Sequence, residues 1–282
     1  MLGAGPVTEH IGTSSNIYAE TNTQVPRIAL TRAVSESLAR CELTYLDREP
    51  IDLARARAQH ASYEKLLESL GFDVVRLATL DDQPDAVFVE DAAIALDELA
   101  IVAPMGAPSR AGESASVAKA LGRWLPVHYL EPPATLDGGD VLRVDRRLFV
   151  GCSRRTNGPA LAQLARLLSS HDYQVVPVTV TGALHLKSAC TYVGNSTVVA
   201  NPDWVDLQPF AGMHILSVDE SEAWGASVLY ADGHIVMPSG FPRTRRMLAD
   251  RQAHVHEVDL TELRKAEGGP TCLSILLPRT VA

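Results

Sequence analysis

The spacing of apolar residues switches between two periods along this chain, and the switches recur in one order. Arg27–Arg32 reads as a strand. Pro50 to Leu70 carries a long amphipathic helix, with Pro50 suited to a first turn and Gly71 to a stop, and Asp73–Leu77 is again extended. Ala86–Val89, Ala92–Leu96 and Ala100–Ala103 predict a group of strands, followed by a helix over Ser109–Arg123 and a strand at Val127–Leu130. Val141–Val144 and Leu148–Val150 predict a hairpin, Pro159–Leu168 a helix and Gln174–Val178 a strand. His185–Val193 and Thr197–Ala200 come next, then a short segment near Pro202–Phe210 and a strand at His214–Val218. Ser227–Tyr230, His234–Met237, a helix Pro242–Gln252, a strand Val255–Val258 and an apolar strand at Cys272 complete the series.

The recurring unit is strand–strand–helix–strand, repeated about five times. One unit alone would leave an apolar face in water, so the units must pack side by side or around an axis. A closed ring accounts for the last strand following the last helix closely. A doubly wound α/β sheet is the competing architecture, since it alternates the same elements.

The 282 residues carry a net charge of −9, which argues against a nucleic-acid partner, whose phosphates want a basic face. No apolar run is long enough to span a bilayer. Residues 1–26 are rich in Gly, Thr, Ser and Asn and are expected to be a disordered leader without a secretion signal. Residues 27–282 are expected to form a single catalytic domain. Cys41, Cys152, Cys190 and Cys272 form no CxxC pair, which fits reduced thiols in a cytoplasmic protein.

Cys272 follows Gly268-Gly269-Pro270-Thr271, a turn that can present a thiol at the mouth of a strand. Alone, it also fits a buried structural thiol. His185 in LHLKS fits a polar strand residue sharing a face with Lys187, and Asp137 in LDGGD fits a plain turn. Together, thiol, imidazole and carboxylate are the parts of a cysteine nucleophile and its acid–base partner. Asp85, Glu90 and Asp91 flank the run AVFV; they fit either a solvated strand end or a set of carboxylates gripping a cation. Arg110 opens a predicted helix, where a cation opposes the dipole, and Arg155 precedes another; each fits a solvated arginine or an anion contact. Arg243, Arg245 and Arg246 read as a wet helix face. His254 and His256 alternate as two metal ligands would, but no third ligand stands at convincing spacing.

Six segments in order, DAVFVED, GAPSR, LDGGDVL, FVGCSRRTN, LHLKS and TC, resemble the dimethylarginine dimethylaminohydrolase family of the guanidine-modifying (pentein) superfamily, from about Ala29 onward. The resemblance implies a five-bladed α/β propeller of ββαβ repeats around a pseudo-fivefold axis. It implies hydrolysis of free dimethylarginine or monomethylarginine to citrulline and an alkylamine through a covalent thiouronium on Cys272. It casts His185 as general acid/base and Asp137 as its orienting carboxylate. Asp91 and Glu90 would grip the guanidinium, Asp85 the α-ammonium, and Arg110 and Arg155 the α-carboxylate. Leu43, in a lid, and Ala266 would contribute backbone carbonyls. No cofactor is implied; zinc captured by Cys272 and His185 would inhibit. The partner is a small cationic substrate, with neither nucleic acid nor membrane, and the protein a monomer or homodimer. Where relatives often carry a second cysteine, Leu273 stands here. An arginine deiminase releasing ammonia, or an idle arginine-binding protein, is the alternative.

Overall fold

The computed structural model describes Met1 and residues 27–251 and 254–277. The expected leader lies outside the described residues. Five three-stranded sheets share one plan, an antiparallel pair followed by a parallel third strand. The first contains β1 (Ile28–Arg32) and β2 (Asp73–Leu77), joined through α1 (Leu53–Ser69). The second contains β3 (Ile94–Ala95), β4 (Ala100–Val102) and β5 (Val127–Tyr129), with α2 (Ser114–Leu121) as crossover. The third contains β6 (Val141–Val144), β7 (Arg147–Cys152) and β8 (Gln174–Thr179), with α3 (Gly158–Leu168). A one-turn helix, α4 (Leu186–Ala189), leads into the fourth, β9 (Cys190–Tyr192), β10 (Thr197–Ala200) and β11 (His214–Ser217). The fifth contains β12 (Leu229–Ala231), β13 (His234–Pro238) and β14 (His254–Val258), with α5 (Pro242–Ala249). After α6 (Thr261–Arg264), β15 (Ile275–Leu276) pairs antiparallel with β1, so the chain's last strand completes its first sheet.

The core explains why the central strands are apolar on both faces. Along β4, Ala100 and Val102 pack into the layer shared with the first sheet, while Ile101 packs into the layer shared with the third. On β7, Leu148 and Val150 face the second sheet and Phe149 the fourth. In β13, Ile235 and Met237 face the fourth and Val236 the first. Alternation of side chains across a strand thus feeds two neighbouring layers in turn. Five such layers join sheet one to two, two to three, three to four, four to five and five back to one. The ring is closed, a five-bladed α/β propeller. Among the described residues, no helix is long and apolar enough to cross a membrane.

Helix α1 starts one turn later than Pro50: Asp52 is the cap, its side chain accepting the Arg55 N–H. The chain leaves the helix through Gly71 at φ +85°, the left-handed region glycine tolerates. Between β10 and β11 there is no α-helix, only a 3-10 turn at Gln208–Phe210. The segment expected as a strand at Ala86–Val89 is a run of turns, with Ala86 N–H donating to Gln83 C=O and Phe88 N–H to Asp85 C=O. Its apolar residues are all buried without alternating.

Candidate active site

Each blade's first strand is preceded by an irregular segment, and these segments carry the candidate chemistry. Val89–Ala92, a 3-10 turn, leads into β3 and bears Glu90 and Asp91. Asp137 immediately precedes the 3-10 turn Gly138–Asp140 before β6. His185 stands in extended conformation at the start of α4, before β9, and Cys272 lies in the turn before β15. Equivalent ends of five blades meet around a common axis, so residues 48 positions apart, such as Asp137 and His185, can bond.

His185 Nε2 lies 3.0 Å from Asp137 Oδ2, and its Nδ1 lies 3.5 Å from Asp91 Oδ1. Asp137 has no exposed surface and also accepts from Gly106 N–H at 2.8 Å and Arg155 Nη1 at 3.3 Å. Burial alone would raise its carboxyl pKa; the hydrogen bond and charge of His185, with Arg110, hold it below the ordinary range instead. For His185, burial opposes charge, but Asp91, the Asp137 hydrogen bond and Asp140 outweigh it and raise its pKa to about 9. The imidazole is therefore an imidazolium at neutral pH. Asp140 supports this arrangement from behind, accepting from Leu186 N–H at 2.9 Å, Thr156 Oγ1 at 2.7 Å and Ser153 Oγ at 2.6 Å.

The two glycines of LDGGD permit this closeness. A Cβ on Gly138 would sit 2.1 Å from the Glu90 carbonyl oxygen, and one on Gly139 would sit 2.6 Å from Asp91 Oδ1 and 2.7 Å from His185 Nδ1. No side chain fits at either position.

Cys272 is buried, and its Sγ accepts from Gly269 N–H at 3.5 Å. Burial, with the negative charges of Asp91 and Glu90, pushes its thiol up to about 12. Glu90 is bound by Lys187 Nζ at 2.5 Å through Oε1, while Oε2 is buried with no close hydrogen-bond donor among the described residues. Burial raises its pKa despite the lysine. A strand would send Glu90 and Asp91 to opposite faces; the 3-10 turn sends one to Lys187 and the other to His185 and Arg110.

Neither arginine is solvated. Arg110 is buried and bonded to Glu113 (2.8 and 2.7 Å) and Asp91 (2.7 Å), with longer contacts to the carbonyls of Asp85 and Phe88. Its positive charge is thus answered within the protein, at the end of a 3-10 turn and not the start of a helix. Arg155 bonds Asp137 and, at 3.3 Å, Glu42. Asp85 accepts the Glu42 N–H at 3.2 Å, and burial raises its carboxyl pKa. Leu43 packs against the cluster that includes Ala266 and Cys272, so both residues expected to offer carbonyl acceptors lie beside Cys272. Leu43 belongs to a strap, residues 41–50, held by Glu267 Oε1, which accepts the N–H groups of Thr44, Tyr45 and Leu46 at 2.8, 2.5 and 2.8 Å. A cavity of about 500 Å³ opens between Tyr45, Leu46, Trp224 and Ser227 and reaches Gly268 and Gly269.

The structure therefore gathers Cys272, His185, Asp137, Asp85, Glu90, Asp91, Arg110 and Arg155. It adds Lys187, Glu113, Glu42, Asp140 and Glu267, which sequence reasoning did not select. Their signal was weak: each is an ordinary charged residue whose partner is set by the ring. Arg243 and Arg245 pair at the surface with Asp219 and Glu257, as a wet helix face should.

Asp91, Asp137 and His185 are the group whose ligand atoms lie close enough for a metal among the described residues. Arg110 and Arg155 already bond these carboxylates, so a further cation there would meet two guanidinium groups. On β13 and β14, His234 Nδ1 lies 3.1 Å from His256 Nε2, and the His254 ring is 5.3 Å from that of His234. Burial and the two neighbouring imidazoles lower the pKa of His256.

Residues 44–208 match the family model described as N,N dimethylarginine dimethylhydrolase, eukaryotic. The chain is 36% identical over 250 residues to the N(G),N(G)-dimethylarginine dimethylaminohydrolase of Streptomyces coelicolor, covering 88% of this chain and 96% of that one. It is 32% identical over 226 residues to the Pseudomonas aeruginosa enzyme of that name, covering 79% and 89%. A solved structure of the Pseudomonas aeruginosa protein, a cysteine-to-serine mutant complexed with citrulline, superposes with a TM-score of 0.86 at 30% identity, covering 90% of this chain and all of that one. Fold, ordered motifs and these similarities agree: the chain belongs to the dimethylarginine dimethylaminohydrolase family.

Proposed function

We propose that residues 27–282 act as one catalytic unit that hydrolyses free Nω-methylated arginine to citrulline and an alkylamine, with Cys272 as nucleophile. The observation that carries the reading is electrostatic. A buried thiol lies in the field of Asp91 and Glu90, and one buried oxygen of Glu90 has no close donor among the described residues. A planar cation with several N–H groups answers both demands. The relatives' names and the citrulline bound in the Pseudomonas aeruginosa structure support a methylated guanidinium as that cation.

In the free protein the resting pair is thiol and imidazolium. Guanidinium binding against Asp91 and Glu90 places a positive charge beside sulfur and lowers the thiol pKa, so its proton leaves to solvent. The thiolate attacks the guanidinium carbon, forming a C–S bond. As the C–N bond breaks, His185 gives the proton on Nδ1, the nitrogen not bonded to Asp137, to the departing dimethylamine. A thiouronium remains on Cys272 and a neutral imidazole on His185. That imidazole takes a proton from water as its oxygen attacks the same carbon. The C–S bond then breaks as the added hydroxyl loses its proton to solvent, returning thiolate, releasing citrulline and leaving His185 as the imidazolium. Asp137 holds the imidazole's orientation and stabilises its charged form in both steps.

At the amino-acid end, Asp85 would take the α-ammonium, and Arg155 and Arg110 the α-carboxylate. Arg110 has its Nε, Nη1 and Nη2 engaged by protein acceptors, which makes Arg155 the more available of the two. Leu43 and Ala266 would add carbonyls from strap and nucleophile loop. Zinc captured by Cys272 and His185 would be incidental to turnover. The test is to incubate the protein separately with dimethylarginine and arginine and to quantify citrulline, dimethylamine and ammonia. Citrulline with dimethylamine supports the proposal. Ammonia from arginine in preference makes the protein a deiminase, and no product from either makes it an idle binder.

A further inference from the structure

The strap crosses the site with one acidic residue turned inward. Glu42 meets three partners far apart in the chain. Its backbone N–H donates to Asp85 Oδ2 at 3.2 Å, its Oε2 accepts from Arg155 Nη2 at 3.3 Å, and its Oε1 accepts from Ser109 Oγ. The Arg155 side chain is only 9% exposed, whereas that of Glu42 is 41% exposed. Arg155 is thus a fixed feature of the wall, and Glu42 a partner that can swing into solvent. The strap's grip on the protein does not require this side chain. Thr44, Tyr45 and Leu46 are held by Glu267, and Leu43 packs against the apolar cluster.

An N–H on Asp85 and a carboxylate on Arg155 are what a free amino acid would present to the same two residues. We propose that Glu42 is a specificity-determining residue that occupies the amino-acid subsite, its carboxylate seated on Arg155 where the substrate's α-carboxylate must go. This rests on Asp85 and Arg155 being the residues that hold the amino-acid end. An entering amino acid displaces Glu42 and binds with its affinity reduced by the fraction of molecules in which Glu42 is seated. A guanidinium ligand that lacks a carboxylate leaves Glu42 in place and meets no such competition. The device therefore lowers the advantage of ligands with an α-carboxylate over those without.

The experiment compares asymmetric dimethylarginine with N,N-dimethyl-N′-butylguanidine, which keeps the guanidinium and omits the amino-acid end. Steady-state kcat/KM is measured for the native protein, Glu42→Gln, Glu42→Ala, Arg155→Ala and the Glu42→Ala/Arg155→Ala double variant. Because a half-exposed ion pair is weak, both Glu42 variants are expected to raise kcat/KM for dimethylarginine about fivefold, chiefly by lowering KM. Neither changes the butylguanidine value, and the gain disappears when Arg155 is also removed. Glu267→Gln serves as a control for strap loosening, which would move the two compounds together. Glu42 variants that leave dimethylarginine unchanged, weaken it, or shift both compounds equally overturn the inference. If instead Arg155→Ala leaves dimethylarginine unaffected, the placement of the α-carboxylate itself is wrong. That outcome is read independently of Glu42.

Discussion

Ligand binding should create the nucleophile. In the free protein, burial and the carboxylates of Asp91 and Glu90 push the Cys272 thiol up to about 12. A guanidinium seated against those carboxylates puts a unit charge roughly 4 Å from sulfur; at an effective dielectric constant of about 20 this is worth about 4 kcal/mol, a thousandfold or so in acidity. At pH 9 the thiolate fraction should then rise from about one part in a thousand to about one half. The measurement is far-ultraviolet thiolate absorbance during titration with n-butylguanidinium, a cation without a methylated leaving nitrogen. Cys272→Ser, titrated in parallel, subtracts Cys41, Cys152, Cys190 and the tyrosines. A ligand-dependent increase confined to the native protein is the expected result. Absorbance already high without ligand, or unchanged on saturation, would refute the reasoning and require another source of thiolate.

Further outcomes follow from the geometry. His185→Ala should abolish release of dimethylamine at ordinary rates, because no other group bonded to Asp137 can deliver a proton; Asp137→Asn should reduce kcat at least a hundredfold with a far smaller change in KM, checked by steady-state kinetics. The raised pKa of His185 also has a stability consequence. Its stabilisation is fully present below the unfolded value of about 6.5 and is lost as pH rises through about 9, amounting to at most about 3 kcal/mol. Urea unfolding between pH 6 and 10 should show that decline in the native protein and a smaller one in His185→Ala. Gly139→Ala, whose Cβ would meet Asp91 Oδ1 at 2.6 Å and His185 Nδ1 at 2.7 Å, should unseat both side chains and destroy activity, with destabilisation of about 1–3 kcal/mol by thermal or chemical melting.

The ring and its repeat were legible because each blade's central strand is apolar at successive positions, as at Ala100-Ile101-Val102 and Leu148-Phe149-Val150. What misled was apolar sequence buried for another reason. Ala86–Val89 reads as a strand by composition, yet it is folded into turns, with Val87 and Phe88 packed in the layer between the fifth and first sheets and Val89 in that between the first and second. His185 likewise reads as part of a strand, whereas its backbone is extended only until α4 begins. Helix α6 spans four residues, too few to show a period. Cys272, His185 and Asp137 were singled out as a set by their motifs, and the structure places Asp137 against His185 and Cys272 in the field of Asp91. Their charged neighbours were not: Lys187 finds Glu90 across 97 residues, and Glu267 reaches the strap across more than 220. Such pairs have no local signature, since closure of the ring alone brings them together. The bland reading of Arg110 and Arg155 as solvated failed for the same reason.

The covalent intermediate is the claim on which the mechanism stands. Protein quenched with acid during turnover of dimethylarginine should, by mass spectrometry of its proteolytic peptides, carry an amidino adduct on the peptide containing Cys272. An unmodified Cys272 peptide in a sample that is visibly making citrulline, or an adduct on another residue, would contradict it.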